Sequence, residues 1–416
     1  MVQARPVYRP PSAPRSPRLP AYVYWRRRAL VLLAAITIAV GGYLGITLAF
    51  ALHNPSYGVG MQARAAEWGR QHGLGSLVTW IETEWYKMHP PKVHGKPQGP
   101  NIFGFGKTKI VLPANVHHLP APTRIATPAG VPLAGEGVWH IVGRLAANGA
   151  PTVYEAFVRP DPIHTSYVVG VAWMDPTLLK AQLYSGSFIP GKGGPFRYSA
   201  PISASASRTL VAAFNAGFRM QDANGGYYTQ NRTILPLRVG AASVVVFKDG
   251  TMTVGKWGSG SLTMSNQIAS VRQNLDLIVN NGAAVPGLAA QNTIKWGKTL
   301  GGTFYVWRSG LGVTASGALV YVGGPAMSIS DLANVLVRAG AVRAMELDIN
   351  TDWVSYAAFN GPANAAINGG NGTSLLAAMV EPPSHYFVNW WNRDFFTMSL
   401  RPQKSTTLTT TTTSGG

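Results

Sequence analysis

Acidic residues are scarce in this 416-residue chain, 16 against 35 lysines and arginines, so a place where they crowd together is informative. Glu346, Asp348 and Asp352 fall in one short stretch, Ala344-Met345-Glu346-Leu347-Asp348-Ile349-Asn350-Thr351-Asp352-Trp353. The run 342–349 reads as a strand, on which alternate side chains share a face. Glu346 and Asp348 then project together from its C-terminal end, with α-carbons about 6.5–7 Å apart at about 3.3 Å per residue. In sheets with crossovers, ligands gather outside the carboxyl ends of strands. Two carboxyls there suit acid–base or electrostatic work, the plain alternative being a solvated strand exit.

Two further constellations carry chemistry. Ala213-Phe214-Asn215-Ala216-Gly217-Phe218 follows the apolar run 210–213, so a strand enters an Asn/Gly turn that presents amide groups to a ligand or is simply a β-turn. Trp307-Arg308-Ser309-Gly310-Leu311-Gly312 sets a guanidinium among glycines. Such an arginine grips phosphate or carboxylate bidentately, or stands idle on the surface. Glu155 and His164 lie near the start of the same region, where a lone histidine is more often structural.

Other chemistries are excluded. Without cysteine the chain holds no disulfide, thiolate-zinc site or cysteine nucleophile. It has no G-x-x-x-x-G-K-[ST], G-x-S-x-G or H-E-x-x-H motif and no clustered histidines, so no cofactor and no metal is expected. Nor is there a helix-turn-helix, zinc-finger or stacking-aromatic signature, so nucleic acid is not an expected partner despite the net charge of +19.

The elements that must position these residues lie between about 136 and 400, where β-branched runs alternate with glycine turns. The segments 243–247 and 251–254 flank Lys248-Asp249-Gly250 as a hairpin, and 312–314 and 318–322 flank Ala315-Ser316-Gly317 as another. Ser328-Ile329-Ser330-Asp331 reads as a helix start, Leu332, Val335 and Leu336 as its inner face and Gly340 as its end. The fold class is therefore α+β, a mixed β-sheet with hairpins and a strand–helix–strand crossover.

Taken in order, these segments resemble the phosphodiester glycosidase family of the N-acetylglucosamine-1-phosphodiester type over residues 150–365. The turn Ala213–Phe218, the strand opening at Arg308-Ser309-Gly310-Leu311-Gly312, and Gly340 to Asp348 correspond to the family's three motifs. The resemblance implies hydrolysis of a sugar from a phosphodiester. Asp348 would act as base or electrostatic stabiliser with Glu346 as its partner. Arg308 would clamp the phosphate, and Asn215 and Gly217 would bind substrate, with Asn350 and Asp352 in reserve. The family usually follows its aspartate with Gly-Gly, where this chain has Ile349-Asn350, which changes the pocket floor. A non-catalytic glycan-binding or envelope-organising protein on the same fold is the competing expectation.

The N-terminal portion speaks to location. Residues 29–52 are 24 uncharged, mostly apolar residues preceded by Arg26-Arg27-Arg28, long enough to span a bilayer with the N-terminus in the cytoplasm. Ala49-Phe50-Ala51 admits a cleaved signal peptide instead, but the apolar run exceeds the usual length. Either way the main domain, 131–400, is expected outside the cytoplasm. Its partners would be the lipid bilayer and a phosphate-bearing glycan. Residues 1–28 read as a disordered basic tail, 401–416 as a threonine-rich one, and 53–130 as a helical stem with a proline-rich linker. In the stem Leu77, Trp80, Ile81, Glu84 and Trp85 share a largely apolar face, for the membrane or for the domain.

Overall fold

The computed structural model describes residues 20–98, 102–103, 118–290, 293–296, 305–362 and 364–402. The expected tails 1–19 and 403–416 and the linker segment 104–117 lie outside them. The chain divides into two units, 1–54 and 55–416.

Among the described residues of the first unit is the helix Ala21–His53, long and apolar enough to cross a membrane by length and composition. It begins directly after Pro20, so Ala21 to Arg28, assigned above to the tail, are helical. Nothing between the proline and the apolar run breaks a helix, and arginine propagates one well.

The second unit is built on three sheets. The largest has eight strands in the spatial order His140–Val142, Val153–Val158, Val169–Met174, Leu319–Met327, Val306–Thr314, Ala341–Glu346, Leu277–Asn280 and Ala283–Ala284. Both expected hairpins form, Ala242–Phe247 with Met252–Lys256 and Val306–Thr314 with Leu319–Met327. Gly250 (φ +83°) and Gly317 (φ +88°) take the left-handed positions of their turns, which a side chain would strain.

The helix Ile329–Arg338 starts on a reciprocal cap. Ser328 Oγ accepts from the Asp331 amide, and the Asp331 carboxylate accepts from the Ser328 amide. It leads from Leu319–Met327 into Ala341–Glu346, the expected crossover. The crossing steps over Val306–Thr314, which pairs antiparallel with both, so the two parallel strands never touch. Every ladder between named strands is consequently antiparallel rather than mixed.

The helix covers the outer face of the large sheet through Leu332, Val335 and Leu336 against Ala344, Val320 and Val322. Gly310 lies beneath it, and a Cβ there would meet Leu336 and Leu332 at 3.1 and 3.2 Å. The inner face, with Leu311, Tyr321, Met345 and Leu347, packs on Phe214, Tyr356 and Phe396 of a second sheet and Val244 and Val254 of a third. This shared core fixes the strand ends relative to one another.

Helices Met61–Gln71 and Gly75–Met88 form the stem, with Gly73 (φ +81°) at the break between them. The linker is shorter than the prolines suggest. Ile125 is buried and its amide donates to Gly137 O at 2.9 Å, so packing begins before residue 131.

Candidate functional site

The Leu210–Asn215 strand runs between Tyr356–Phe359 and Phe395–Leu400, with Asn215 opposite Phe395. Its end meets the end of Ala341–Glu346 through polar bonds. Ser309 N donates to Asp348 O at 2.8 Å. Asn274 Nδ2 donates to Glu346 O at 2.8 Å, and its Oδ1 accepts from Phe218 N at 3.2 Å. Asn274 thus ties the Asn/Gly turn to the acidic segment.

A concavity opens where these ends converge. Of the expected site residues, Asn215, Gly217 and Asp348 line it. They are joined by Trp353, Ser355, Trp391, Arg393, Asp394 and Phe395. Its volume is about 10 Å³, room for about one water.

Asp348 lies two residues beyond the strand's last residue, so alternation no longer dictates its direction. Its Oδ1 accepts from the amides of Ile349 (2.8 Å) and Asn350 (3.0 Å). Burial lifts its pKa to about 6, against the lowering pull of the Asn350 amide, the Arg393 charge and the Ile349 amide. Asn215 Oδ1 accepts from Tyr321 Oη (2.9 Å) and Ser355 N (3.2 Å), and its Nδ2 donates to Ser309 Oγ (3.1 Å). Its orientation is therefore set before any ligand arrives. At Gly217 (φ +155°) a Cβ would stand 3.3 Å from the Arg272 guanidinium, which is itself held by Asp394 at 2.8 Å.

Arg393 is the buried cation of this site. Its guanidinium sits 3.7 Å from the centre of the Trp353 ring, and its Nη2 donates to Glu67 Oε2 at 3.2 Å. The same Glu67 carboxylate, from the stem, lies 3.5 Å from Arg219 Nη1. Three side chains lining the concavity keep a buried polar atom without a hydrogen-bond partner: Trp391 Nε1, Arg393 Nε and Asp394 Oδ1. Unpaired polar atoms of this kind mark a place that water or ligand completes.

The structure does not bring the remaining expected residues into the concavity. Arg308 and Glu346 are sealed in the interior, 2% and 1% exposed. Arg308 Nη1 donates to Glu346 Oε1, and its Nε donates to Met327 O at 2.8 Å. The physical reason is register: Gly310 stands opposite Glu346, so Arg308 reaches the carboxylate diagonally under the helix. Burial lifts Glu346 to about 7, while Arg308 pulls it down. A guanidinium so engaged is not available to clamp a substrate phosphate, and Glu346 is not available as a catalytic partner.

Asn350 Oδ1 accepts from Asp352 N at 2.9 Å and shapes the turn. Asp352 faces the stem. Burial raises its pKa, Glu82 raises it further, and Arg393 and Arg70 oppose them. Ile349, where the family has glycine, packs with Phe218, Met220 and Leu275. Buried His164 pairs with Asp161 at 2.8 Å, and Glu155 is a buried acid of the Val153–Val158 strand. The residues that sequence reasoning missed are Arg393, Trp391 and Asp394. Their signal was the run Trp390-Trp391-Asn392-Arg393-Asp394, which pairs an acid and a base in an acid-poor chain. Among the described residues no group of three His, Asp or Glu is placed to hold a metal.

Residues 208–348 match the model of the phosphodiester glycosidase family, a span that contains Asn215, Gly217 and Asp348. No curated protein matches the chain. Among solved structures, one similar chain is the zebrafish N-acetylglucosamine-1-phosphodiester α-N-acetylglucosaminidase catalytic domain, auto-inhibited by its pro-peptide. It is 13% identical with a TM-score of 0.37, over 70% of this chain and 96% of that one. A hypothetical protein from Synechocystis is 12% identical with a TM-score of 0.32, over 61% and 63%. A protein from Burkholderia pseudomallei is 13% identical with a TM-score of 0.25, over 57% and 74%.

Proposed function

We propose that the phosphodiester glycosidase domain of this chain is a membrane-anchored, extracytoplasmic hydrolase that releases a sugar from a sugar-1-phosphodiester of envelope glycans. The observation that carries the reading is the pairing, within one aromatic-walled concavity, of the Asp348 carboxylate with the Arg393 guanidinium.

Cleavage of such a bond passes through oxocarbenium character, which a carboxylate stabilises directly or by activating water. Asp348, ionised above about pH 6, supplies that carboxylate. The phosphate leaves as a stable anion and needs charge neutralisation more than a strong proton donor. Arg393 provides the charge, in the role that the family resemblance implied for Arg308. Trp353 and Trp391 offer faces for the sugar ring. Asn215, with one amide hydrogen committed to Ser309, has a second for a substrate oxygen.

A pocket for a ligand of this size usually measures about 300–1,000 Å³. A substrate phosphate that binds Arg393 therefore has to displace Glu67, which lies 3.2 Å from Arg393 and 3.5 Å from Arg219. The helix Ala21–His53, with Arg26 to Arg28 at its start, supports anchoring with the N-terminus in the cytoplasm.

A non-catalytic glycan-binding role is the second reading, favoured by the filled concavity and by Ile349-Asn350 in place of Gly-Gly. Purified full-length protein incubated with aryl and nucleotide-linked sugar phosphodiesters separates them. Turnover that disappears in Asp348→Asn supports the enzyme. Glycan binding without turnover, unchanged by that substitution, overturns it.

A further inference from the structure

The stem helix Gly75–Met88 has two faces of different character. One is committed to the rest of its unit. Val78 closes on Gly69, where a Cβ would stand 2.9 Å from Val78 Cγ2. Glu82 pairs with Arg70, and Tyr86 bonds Thr351 of the acidic turn. The opposite face carries Leu77, Trp80, Ile81, Trp85 and Met88, exposed by 50%, 60%, 53%, 52% and 69%. At about 100° per residue these positions form one stripe roughly 140° wide, broken only by Glu84. That acid is paired with Lys87 at 2.8 Å. A contiguous exposed apolar face of this kind marks an interaction surface rather than ordinary surface.

We infer that this face lies in the headgroup–acyl boundary of the bilayer that the Ala21–His53 helix spans, so that the stem seats the catalytic unit on an anionic lipid surface. The inference rests on the anchoring proposed above. Its composition fits the interface, where tryptophan is enriched and an amphipathic helix sinks its apolar face among headgroups. Charge fits as well. Lys92 and Lys96 follow along the same segment, while Glu82 and Glu84 are neutralised by Arg70 and Lys87. Only residues 54–74 separate the two helices in sequence, so the anchor keeps the stem close to lipid. Glu67 and Thr351 contacts link the stem to the concavity, so a lipid-seated stem would also fix how the site faces a membrane-attached glycan.

The absence of cysteine makes the test direct, since one introduced thiol is unique. Full-length Ile81→Cys, Leu77→Cys, Gln71→Cys and Ile36→Cys carry a nitroxide in vesicles of phosphatidylcholine and phosphatidylglycerol. Oxygen, which enters lipid, and a water-soluble nickel chelate report each label's surroundings. Positions 77 and 81 should favour oxygen severalfold over the chelate, as Ile36 within the spanning helix should, while Gln71 favours the chelate. Lipid exposure at 36 with water exposure at 77 and 81 overturns this inference alone. Water exposure at 36 overturns the anchoring. Protection at 81 from both reagents, with dipolar coupling between labels at low protein density, means that a second copy covers the face and overturns it too. Ile81 and Leu77 are exposed, so an unchanged melting curve verifies that the labelled chains fold.

Discussion

Replacing Asp348 by asparagine should remove activity and raise stability together, and the structure sets the size of both effects. Asp348 Oδ1 accepts two backbone amides, and an asparagine oxygen can accept the same two, so the substitution deletes charge with little change of shape. The folded carboxyl has a pKa of about 6 against 3.8 for a free aspartate, raised chiefly by burial. A raised acid binds its proton more tightly in the folded state. Its contribution to stability is therefore intact below about pH 4 and is lost as pH climbs through 6. A rise of about 2, at about 1.36 kcal/mol per unit, makes ionised Asp348 a burden of about 3 kcal/mol at neutral pH.

The asparagine variant should thus melt roughly 5 °C higher than the parent at pH 7.5 and within error of it at pH 4. Its turnover should fall by about 10²–10⁴-fold, the usual contribution of a positioned base. In the parent, rate should increase with pH through about 6 and level off above, because only the ionised form works. The assay is a pair of melting series across pH with phosphodiester turnover on the same samples. A variant that melts lower by the same margin at both pH values refutes the burial argument. One that keeps the parent's turnover and pH profile refutes the assignment of Asp348.

Three further outcomes follow from the same geometry. Arg308→Met should destabilise the domain by about 3–5 kcal/mol by stranding Glu346, whereas the double change with Glu346→Leu should restore both melting and turnover. Loss of turnover in a folded double variant would return Arg308 to the substrate site. Glu67→Gln should lower KM for a phosphodiester about tenfold, since a competing charge leaves two guanidiniums. An unchanged KM together with unchanged inhibition by inorganic phosphate would show that the anion binds elsewhere. Arg393→Lys should raise KM about tenfold while leaving the pH midpoint near that of the parent, because a point charge replaces a planar fork over Trp353. A KM equal to the parent's would remove Arg393 from phosphate recognition.

What the sequence disclosed depended on the range of the interaction. Turn chemistry and caps act within four residues, so both hairpins, the Ser328–Asp331 cap and the stop at Gly340 could be read directly. Asp348 was legible because acids are rare enough for a cluster to stand out. The partner of Glu346 was not, because the strand ends at Glu346 and a diagonal pairing across two strands decides that Arg308 serves the core. Arg393 was harder still. It lies 45 residues beyond Asp348 in sequence and reaches the concavity only because the Phe395–Leu400 strand returns beside Leu210–Asn215.

The substituted turn after Asp348 explains why stem and site behave as one assembly. Gly-Gly at 349 and 350 would leave the floor open and the chain free. Ile349 instead anchors the turn on Phe218, and Asn350 caps it at the Asp352 amide. The turn then presents Thr351 to Tyr86 and Asp352 to the Glu82–Arg70 pair of the stem. Glu67 completes the closure from the same stem by sitting on Arg393 and Arg219. The two residues that follow the substituted pair are thus the ones that reach the stem. The departure that weakens the motif match therefore sits in the turn that joins the concavity's Asp348 to the helix pair following Ala21–His53 in sequence.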